Sequence, residues 1–305
     1  MRICVFGAGS LGSALGGMLG QRHDVTLIGR SQNMGPIRRS GLRLLGDVSR
    51  TLSVKAVEDS SSAETPDLLI ITTKAYDTPS AIDSCRRLVD DNTAVLTLQN
   101  GLGNLELLRE WRGDAAFGGT TTMGATLVSP GKVRVSGFGR TTIGADKDAR
   151  RARDIARAFE SCGIPADVEK DVMREIWGKA VVNACINPTA AVLRVRNGRL
   201  LESWATVRIM QEICRECEHV AFASGISLPI RHMYPRVRAV CSDTAHNVSS
   251  MLQDVLRGRR TEIGQINGAF NSFGIEAGVP TPLNKTLVAM VEPLQLYAKG
   301  ERLIS

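Results

Sequence analysis

A glycine-rich segment close to the first residue restricts the fold of this chain more than any other feature. The apolar, β-branched run Arg2 to Phe6 predicts a short buried strand. It leads into Gly7-Ala-Gly-Ser-Leu-Gly12, and the stretch from Ser13 to Leu19 predicts a helix directly afterwards. A G-x-G-x-x-G spacing between a strand and a helix is the setting in which such glycines bind a dinucleotide. A glycine turn with a purely structural role is the alternative.

Each glycine of this loop has a physical task in dinucleotide binding. Gly7 permits the tight turn, Gly9 lets a pyrophosphate approach the backbone, and Gly12 lets the helix pack against the strand. The N–H groups at the start of the helix then bind phosphate oxygens. The predicted cofactor contacts are therefore the residues of the whole loop: Gly7, Ala8, Gly9, Ser10, Leu11 and Gly12.

Arg30 indicates which dinucleotide this loop binds. It directly follows a second predicted strand, Asp24 to Gly29. A free ribose 2′-hydroxyl is usually recognised at this place by Asp or Glu, whereas a 2′-phosphate is recognised by Arg. The sequence therefore predicts NADP(H) rather than NAD(H). The alternative is that Arg30 is an ordinary surface arginine and that the preference between the two cofactors is relaxed.

Two later strands also end in polar residues. The predicted strand Pro66 to Thr72 leads to Lys74, and the predicted strand Thr93 to Leu98 leads to Asn100. In an open α/β sheet, ligands bind beyond the carboxyl ends of the strands. We therefore expect Lys74 and Asn100 to contact the cofactor, although either residue could instead be a turn former.

The pattern of the chain changes after about residue 168, and this change predicts two domains. Antiparallel strand pairs are expected between residues 116 and 145, followed by a helix from Asp148 to Ser161 and a strand from Ala166 to Glu169. Beyond Asp171 we find only helical patterns. They cover residues 171–187, 203–224, 231–241, 261–277 and 284–299. We therefore predict an α/β domain over 1–168 and an all-helical domain over 169–305.

Three polar side chains form a stripe on the first helix of the second domain. Lys179, Asn183 and Asn187 stand at i, i+4 and i+8, and a helix stop is expected at Pro188. A buried cation and buried amides cost several kcal/mol unless a polar group faces them. The three residues either satisfy one another or line a cleft for an anionic, oxygen-rich small molecule. In the second case Lys179 supplies a proton or a positive charge.

Composition argues against several classes of protein. The net charge is +7, but no basic tract is interleaved with aromatic residues, so we expect no nucleic-acid partner. Seven cysteines at irregular spacings indicate a reducing compartment, and the pair Cys214 and Cys217 is expected to be two helix thiols rather than part of a metal site. No apolar run reaches the ~20 residues of a membrane span, and the first residues enter a strand rather than a signal peptide. We therefore expect a cytoplasmic protein.

Several motifs, in order along the whole chain, resemble the ketopantoate reductase family (2-dehydropantoate 2-reductase). They are the loop Gly7–Gly12, Lys74, Leu98-Gln-Asn100-Gly-Leu-Gly, Gly119-Thr-Thr-Thr, Trp177-x-Lys179-x3-Asn183-x3-Asn187-Pro188, Asn197-Gly198, Ser249-Ser-Met-Leu-Gln-Asp254, Thr261-Glu262-Ile and Ile266-Asn-Gly268. Their number and spacing make the resemblance much more specific than the glycine loop alone.

The resemblance implies a fold and a reaction. The fold would be an N-terminal Rossmann-type dinucleotide-binding domain and an all-α C-terminal domain like that of 6-phosphogluconate dehydrogenase. The reaction would be the NADPH-dependent reduction of ketopantoate to (R)-pantoate in pantothenate and coenzyme A biosynthesis. Catalysis would take place in a cleft between the two domains.

The resemblance also implies roles for individual residues. Lys179 would be the general acid, and Glu262 would act at the junction of cofactor and substrate. The further cofactor contacts would be Lys74, Asn100 and the backbone around Ala125. The substrate contacts would be Asn183, Asn187, Asn197, Asn247 and Ser250. From pattern alone, Ser250 would be a helix N-cap, and Glu262 would pair with Arg259 or interact with a helix dipole. The resemblance replaces that interpretation of Glu262.

Alternatives to this reaction stay open at the level of sequence. The chain could be a paralogue that reduces another 2-oxoacid, a β-hydroxyacid or 6-phosphogluconate-type dehydrogenase, or a non-catalytic NADP(H) sensor that binds partners. The sequence does not distinguish a monomer from a homodimer. It also leaves undetermined the exact 2-oxoacid, the strictness of the preference for NADPH and feedback by coenzyme A.

Overall fold

The computed structural model describes residues 1–144, 146 and 148–297. The chain divides into two compact units. Unit 1 consists of Met1–Gln99 and Asn104–Met173, and unit 2 consists of Asn100–Gly103 and the chain from Arg174 onward. A four-residue loop of the N-terminal half is therefore part of the second unit.

Unit 1 is built on an eight-stranded sheet. The strands of the chain are β1 Arg2–Phe6, β2 Asp24–Ile28, β3 Leu42–Gly46, β4 Arg50–Leu52, β5 Lys55–Val57, β6 Leu68–Ile71, β7 Ala94–Thr97, β8 Ala116–Thr121, β9 Ala125–Ser129, β10 Lys132–Val135, β11 Thr141–Gly144 and β12 Ala166–Glu169. The order in the large sheet is β12-β11-β8-β7-β6-β1-β2-β5. All neighbours from β5 to β8 are parallel, and only β8 and β11 pair antiparallel. This arrangement confirms the predicted α/β domain.

The glycine loop leads into a helix that packs against both sheets of unit 1. A second sheet has the order β4-β3-β10-β9. Helix α1, Ser10–Leu19, contacts β1 and β2 of the large sheet and also β3, β9 and β10 of the small one. Its residues from Gly12 to Leu19 are buried. The helix begins three residues earlier than the predicted Ser13, because Gly9 already occupies the N-cap position.

The remaining helices of unit 1 complete the layers around the large sheet. They are α2 Ser31–Ser40, α3 Thr78–Cys85, α4 Asn104–Arg112 and α5 Ala149–Ser161. The apolar runs predicted as central strands are buried, since Leu68, Leu69, Ile70 and Ile71 of β6 are all 0% exposed. This burial is typical of parallel strands covered on both faces.

The regular elements that the structure describes in unit 2 are helical. They are α6 Val172–Leu193, which begins in the last residues of unit 1, α7 Trp204–Ala223, α8 Tyr234–Asp243, α9 Ser250–Leu256, α10 Asn267–Ala277 and α11 Pro282–Tyr297, with 3-10 turns at Asn197–Leu201 and Ile263–Gln265. This confirms the predicted all-α character. Residues 298 and 299 of the predicted last helix lie outside the described residues.

Two helix boundaries in unit 2 differ from the sequence prediction by more than three residues. The stop expected at Pro188 is wrong, because α6 continues through this proline to Leu193. A proline has no N–H, so the carbonyl of Ala184 loses its usual helical donor. The side-chain amide of Asn267 donates to that carbonyl oxygen instead, at 3.0 Å. The helix predicted over 261–277 begins only at Asn267.

The cysteines behave as buried side chains. All seven are free and buried, and burial raises the pKa of the Cys217 thiol well above its ordinary value. Cys214 and Cys217 lie one turn apart on α7. Within the described ranges, no cluster of His, Cys, Asp and Glu could bind a metal ion. None of the helices in the described part of the chain combines the length and apolarity that crossing a membrane requires.

Candidate active site

The glycine loop of unit 1 is shaped for close approach of an anion. A Cβ atom on Gly12 would lie 2.1 Å from the carbonyl oxygen of Gly7, so only glycine fits at this crossing. Helix α1 has no side-chain cap and no acidic residue in its first turn. The first N–H groups of a helix have no acceptor within the helix, and they carry partial positive charge. This end of α1 therefore suits a phosphate group.

Three side-chain hydrogen bonds fix the loop. Thr72 Oγ1 donates to the carbonyl of Gly7 at 2.9 Å, and Asn33 Nδ2 donates to the carbonyl of Ala8 at 3.0 Å. Ser10 Oγ accepts the backbone N–H of Leu127 at 3.0 Å, which links the loop to β9 of the small sheet. Sequence reasoning missed Thr72 and Asn33 as supporting residues. The place of Thr72 at the end of a predicted strand was the available signal for it.

The other predicted cofactor residues of unit 1 lie at ends of elements. Arg30 is exposed at the N-cap position of α2, two residues after β2 ends. Lys74 is half-buried and follows β6, whereas Ala125 is the half-buried first residue of β9. Arg38, on α2, forms an ion pair with Glu58. Arg30 lies at the end of the second strand, the position at which a dinucleotide-binding domain recognises the ribose.

Gln99 organises the carboxyl ends of two neighbouring strands in unit 1. Its Nε2 donates to the carbonyl of Thr73 at 3.0 Å and to Thr78 Oγ1 at 2.9 Å. Thr78 Oγ1 in turn donates to Asn104 Oδ1 at 2.9 Å. The network joins the segments after β6 and after β7. It was not predicted, although Gln99 precedes the predicted site residue Asn100.

Asn100 belongs to a loop that is fixed on the helical unit. Leu102 N–H donates to the carbonyl of Gln265 at 2.9 Å. Gly101 has φ +87°, and a Cβ atom there would lie 2.3 Å from the same carbonyl oxygen. Gln265 ends the 3-10 turn that follows Glu262. Asn100 is therefore the first residue of a loop that contacts the 3-10 turn directly after Glu262.

The polar stripe lies on α6 as its spacing predicted. Lys179 and Asn183 are half-buried and Asn187 is buried. The flanking residues Ala180, Val181, Val182, Ala184 and Ile186 are buried. Trp177, two residues before Lys179, is 1% exposed and contacts the rings of Phe270 and Phe273 on α10. The aromatic cluster holds the start of the stripe against α10.

Lys179 has the titration behaviour expected of an acid that works near neutral pH. Its pKa falls from 10.5 to about 8, chiefly because burial removes water from the ammonium group, while the charge of Glu262 acts in the opposite direction. The residue as a whole is half-buried. Glu262 is 6% exposed. The structure thus makes Glu262 an electrostatic partner of Lys179, a relation that the sequence analysis did not predict.

We expect the substitution Glu262→Gln to lower the pKa of Lys179 further, because the charge that favours the ammonium form is removed while desolvation stays. NMR titration of protein labelled with ¹³C-lysine measures this shift without any substrate. Glu175→Gln is the matched control, since Glu175 lies on the same helix and pairs with Arg236. A Lys179 titration that is unchanged or moves to higher pH in Glu262→Gln would contradict the assignment.

Asn197 presents a buried hydrogen-bond acceptor. Its backbone N–H donates to the carbonyl of Asn247 at 3.1 Å, and its Nδ2 donates to Thr244 Oγ1 at 2.9 Å. Thr244 Oγ1 itself donates to the carbonyl of Val240 at 2.6 Å, which fixes the orientation of the Asn197 amide. Asn197 is 7% exposed, and its Oδ1 is buried without a partner among the described residues. A ligand hydroxyl would satisfy this oxygen.

The structure corrects the pattern-based interpretation of Ser250. The N-cap of α9 is Ser249, whose Oγ accepts the N–H of Leu252 at 3.2 Å. Ser250 is the first residue of the helix and is exposed, as is Asn247. The hydroxyl of Ser250 is therefore not needed as a cap. Among the predicted site residues, Glu262 acts electrostatically on Lys179, and the backbone of Asn197 bonds to that of Asn247. For Asn183 and Ser250 the structure gives the position along α6 and α9.

These features define a class of protein: a parallel-sheet unit with a dinucleotide-type glycine loop, joined to a helical unit that carries a lysine with a lowered pKa. The family model described as Ketopantoate reductase PanE/ApbA matches residues 3–148, and its C-terminal counterpart matches residues 171–295. The chain belongs to the ketopantoate reductase family.

Individual relatives agree with this family. The chain is 36% identical to a 2-dehydropantoate 2-reductase of Pyrococcus horikoshii over 99% of its own length and 100% of the relative. A solved PanE/ApbA family ketopantoate reductase from Ralstonia eutropha is similar with a TM-score of 0.91 and 29% identity, over 98% and 100% of the two chains. A D-mandelate dehydrogenase, solved with NADH and anilino(oxo)acetate, is similar with a TM-score of 0.91 and 27% identity over the same shares.

Proposed function

We propose that this protein reduces ketopantoate to (R)-pantoate with NADPH, a step of pantothenate and coenzyme A biosynthesis. The observation that carries the proposal is Lys179, a desolvated lysine on a polar stripe whose pKa of about 8 suits proton donation near neutral pH. The names of the curated relatives, such as the 2-dehydropantoate 2-reductase of Pyrococcus horikoshii, support the choice of substrate.

Lys179 is the general acid of the proposed mechanism. Bound NADPH supplies the hydride that reduces the ketone carbon. Lys179 Nζ donates its proton to the carbonyl oxygen as negative charge develops there, and its own positive charge stabilises that oxygen before the transfer. Glu262 keeps the amine in its protonated form, because its charge favours the ammonium. After the reaction the neutral amine regains a proton from solvent.

The α/β domain, residues 1–168, binds the cofactor in this proposal. The loop Gly7–Gly12 contacts the pyrophosphate, and Arg30 contacts the 2′-phosphate. Support comes from the start of α1, which lacks acidic side chains, and from the position of Arg30 after β2. Lys74, Asn100, Glu262 and the backbone of Ala125 complete the cofactor contacts.

The helical domain, residues 169–305, binds the substrate and carries out proton transfer. We assign the substrate contacts to Asn183, Asn187, Asn197, Asn247 and Ser250, besides Lys179. The unpartnered Oδ1 of Asn197 accepts the primary hydroxyl of ketopantoate, which satisfies a buried oxygen. Amide side chains suit this substrate because it is anionic and rich in oxygen.

The experiment that tests the function compares cofactors and acids in one assay. The absorbance of reduced nicotinamide is followed with ketopantoate and either NADPH or NADH. Phenylglyoxylate, the 2-oxoacid that corresponds to mandelate, is the second substrate, because a solved relative is a D-mandelate dehydrogenase. We expect the highest kcat/KM for ketopantoate with NADPH. Faster turnover of phenylglyoxylate would assign a different 2-oxoacid, and NADPH binding without turnover of either acid would indicate a sensor.

Asn197→Ala is expected to weaken recognition of the substrate hydroxyl. One hydrogen bond contributes ~1 kcal/mol, so we expect kcat/KM for ketopantoate to fall roughly fivefold. Trimethylpyruvate, which is ketopantoate without the hydroxyl, is the matched control substrate. The wild type should prefer ketopantoate, and the variant should lose that preference. An unchanged ratio between the two acids would contradict the assigned role.

The cellular setting and partners are part of the same proposal. We place the enzyme in the cytoplasm, which its seven free thiols support. Its partners are a small 2-oxoacid and NADPH, without nucleic acid, and it works as a monomer or as a homodimer.

A further inference from the structure

Helix α6 contains a proline directly after Asn187, the last residue of the polar stripe. In a regular helix the N–H of residue 188 would donate to the carbonyl of residue 184, but Pro188 has no N–H. A buried carbonyl left without a donor destabilises a helix at that point. Ala184 is 0% exposed, so water does not replace the missing donor. The helix nevertheless continues to Leu193.

The missing donor is replaced by a side chain from another helix. Asn267, the first residue of α10, is 0% exposed, and its Nδ2 donates to the carbonyl oxygen of Ala184 at 3.0 Å. This bond spans 83 residues of sequence. Its acceptor lies between Asn183 and Asn187 of the stripe and about one turn beyond Lys179.

A chain of hydrogen bonds agrees with the orientation of the Asn267 amide that the carbonyl of Ala184, which can only accept, already requires. The carboxylate of Glu216 only accepts, so Asn284 presents its Nδ2 to Glu216 Oε2 at 2.8 Å. Asn284 Oδ1 therefore faces Asn267, whose Nδ2 donates to it at 2.9 Å. Both hydrogens of the Asn267 amide are thus in use. The Oδ1 of Asn267 is buried without a partner among the described residues. Both side-chain hydrogen bonds of Asn267 are therefore made by its Nδ2 group.

Asn267 also stands in the segment that carries Glu262. Four residues lie between the two, and three of them form the 3-10 turn Ile263–Gln265. The charge of Glu262 acts on Lys179 of α6. The Asn267–Ala184 bond therefore joins, by a second contact, the same two segments that provide the candidate acid and its electrostatic partner.

We propose that Asn267 is a positioning residue that supplies the hydrogen bond lost at Pro188 and thereby holds the stripe of α6 in register with Glu262. Its effect on turnover rests on the proposed function, whereas its effect on the environment of Lys179 does not. Asn267 does not touch the substrate in this proposal. It acts through the backbone of α6.

A double-mutant cycle between Asn267 and Pro188 tests this role. Pro188→Ala restores an N–H at position 188, so that Ala184 no longer needs the side chain of Asn267. We measure two properties in the wild type, both single variants and the double variant. They are the Lys179 titration, by NMR of ¹³C-lysine-labelled protein, and the steady-state kinetics, as kcat and the KM values for ketopantoate and NADPH. The chain has eight lysines, so the spectrum is simple, and Lys179→Met assigns the signal.

We expect Asn267→Ala to move the Lys179 titration and to lower kcat about tenfold, with little change in KM for NADPH. Pro188→Ala alone should leave both properties close to wild type. In the double variant the titration should return towards wild type, and kcat should recover at least about threefold over Asn267→Ala. Asn284→Ala is the matched control, because it removes the other acceptor of the Asn267 amide and leaves the Ala184 bond in place. It should not move the Lys179 titration.

Three outcomes would overturn the proposal. The first is a Lys179 titration that is unaltered in Asn267→Ala. The second is that the effects of Asn267→Ala and Pro188→Ala simply add in the double variant. The third is an Asn284→Ala variant with the same shift of the Lys179 titration as Asn267→Ala. If Asn267→Ala does not fold, the double variant provides the test. We expect the double variant to fold and to show the same Lys179 titration as Pro188→Ala. A double variant that does not fold would also overturn the proposal. A wild type that titrates as described but does not reduce ketopantoate would refute the proposed function alone.

Discussion

Replacing Lys179 with alanine is expected to lower kcat for ketopantoate reduction by about 10²–10⁴-fold, the range typical of removing a general acid. NADPH should still bind, because the glycine loop lies in the other unit of the chain. Steady-state kinetics and titration of the cofactor by fluorescence measure the two properties separately. Lys170→Ala is the matched control, since Lys170 is exposed and lies shortly before α6. A loss below about tenfold would assign the proton transfer to another group.

The pH dependence of the wild type follows from the same residue. The acid must be protonated to reduce the ketone, so kcat/KM for reduction should be constant below the Lys179 pKa of about 8 and should fall above it. Oxidation of pantoate needs the neutral amine, so its kcat/KM should rise up to that pH. Rate profiles in both directions measure these limbs. Two profiles with the same slope around this pH would contradict a single acid–base group.

Trp177→Ala is expected to destabilise the helical unit by about 3–5 kcal/mol, the usual cost of truncating a large buried aromatic side chain. Trp177 is 1% exposed, and its ring lies 5.6 Å from that of Phe270 in an edge-on contact and 5.0 Å from that of Phe273. The truncation leaves a cavity between α6 and α10, and it removes both ring contacts. Urea unfolding followed by circular dichroism measures the change.

Trp204→Ala provides the matched control for this substitution. Trp204 is 77% exposed at the start of α7, and Arg208 lies over its ring at 5.9 Å. Losing an exposed cation–π contact costs at most about 1 kcal/mol. Equal losses of stability in the two variants would show that the buried cluster around Trp177 does not stabilise α6.

The sequence predicted those parts of the fold that depend on short-range patterns. The strand and glycine turn at Arg2–Gly12 and the strand Ala166–Glu169 were found because their apolar runs and breakers are local. The stop at Pro188 was wrong because the donor that rescues the helix, Asn267, is 83 residues away. Ser250 was taken as a cap because two adjacent serines, Ser249 and Ser250, fit the N-cap preference equally well.

The same distinction applies to the candidate site. The stripe of Lys179, Asn183 and Asn187 was visible because its spacing matches the helix period. Thr72 was missed because its bond to the carbonyl of Gly7 spans 65 residues, and its place at the end of a predicted strand does not identify that distant acceptor. The electrostatic effect of Glu262 on Lys179 was not predicted, since the pattern around Glu262 favoured a local partner and the two residues are far apart in sequence.

The assignment of Asn100–Gly103 to the helical unit limits how this protein can be divided or recombined. A gene fragment that starts at residue 174 encodes all of α7 to α11. Its product lacks Leu102, whose backbone N–H donates to the carbonyl of Gln265. The helical half is thus not a self-contained module. A chimaera of two family members joined once near residue 170 would pair the loop of one parent with the turn of the other. The close approach of Gly101 to the carbonyl of Gln265 would then depend on two parents at once, although more than 150 codons separate the two segments.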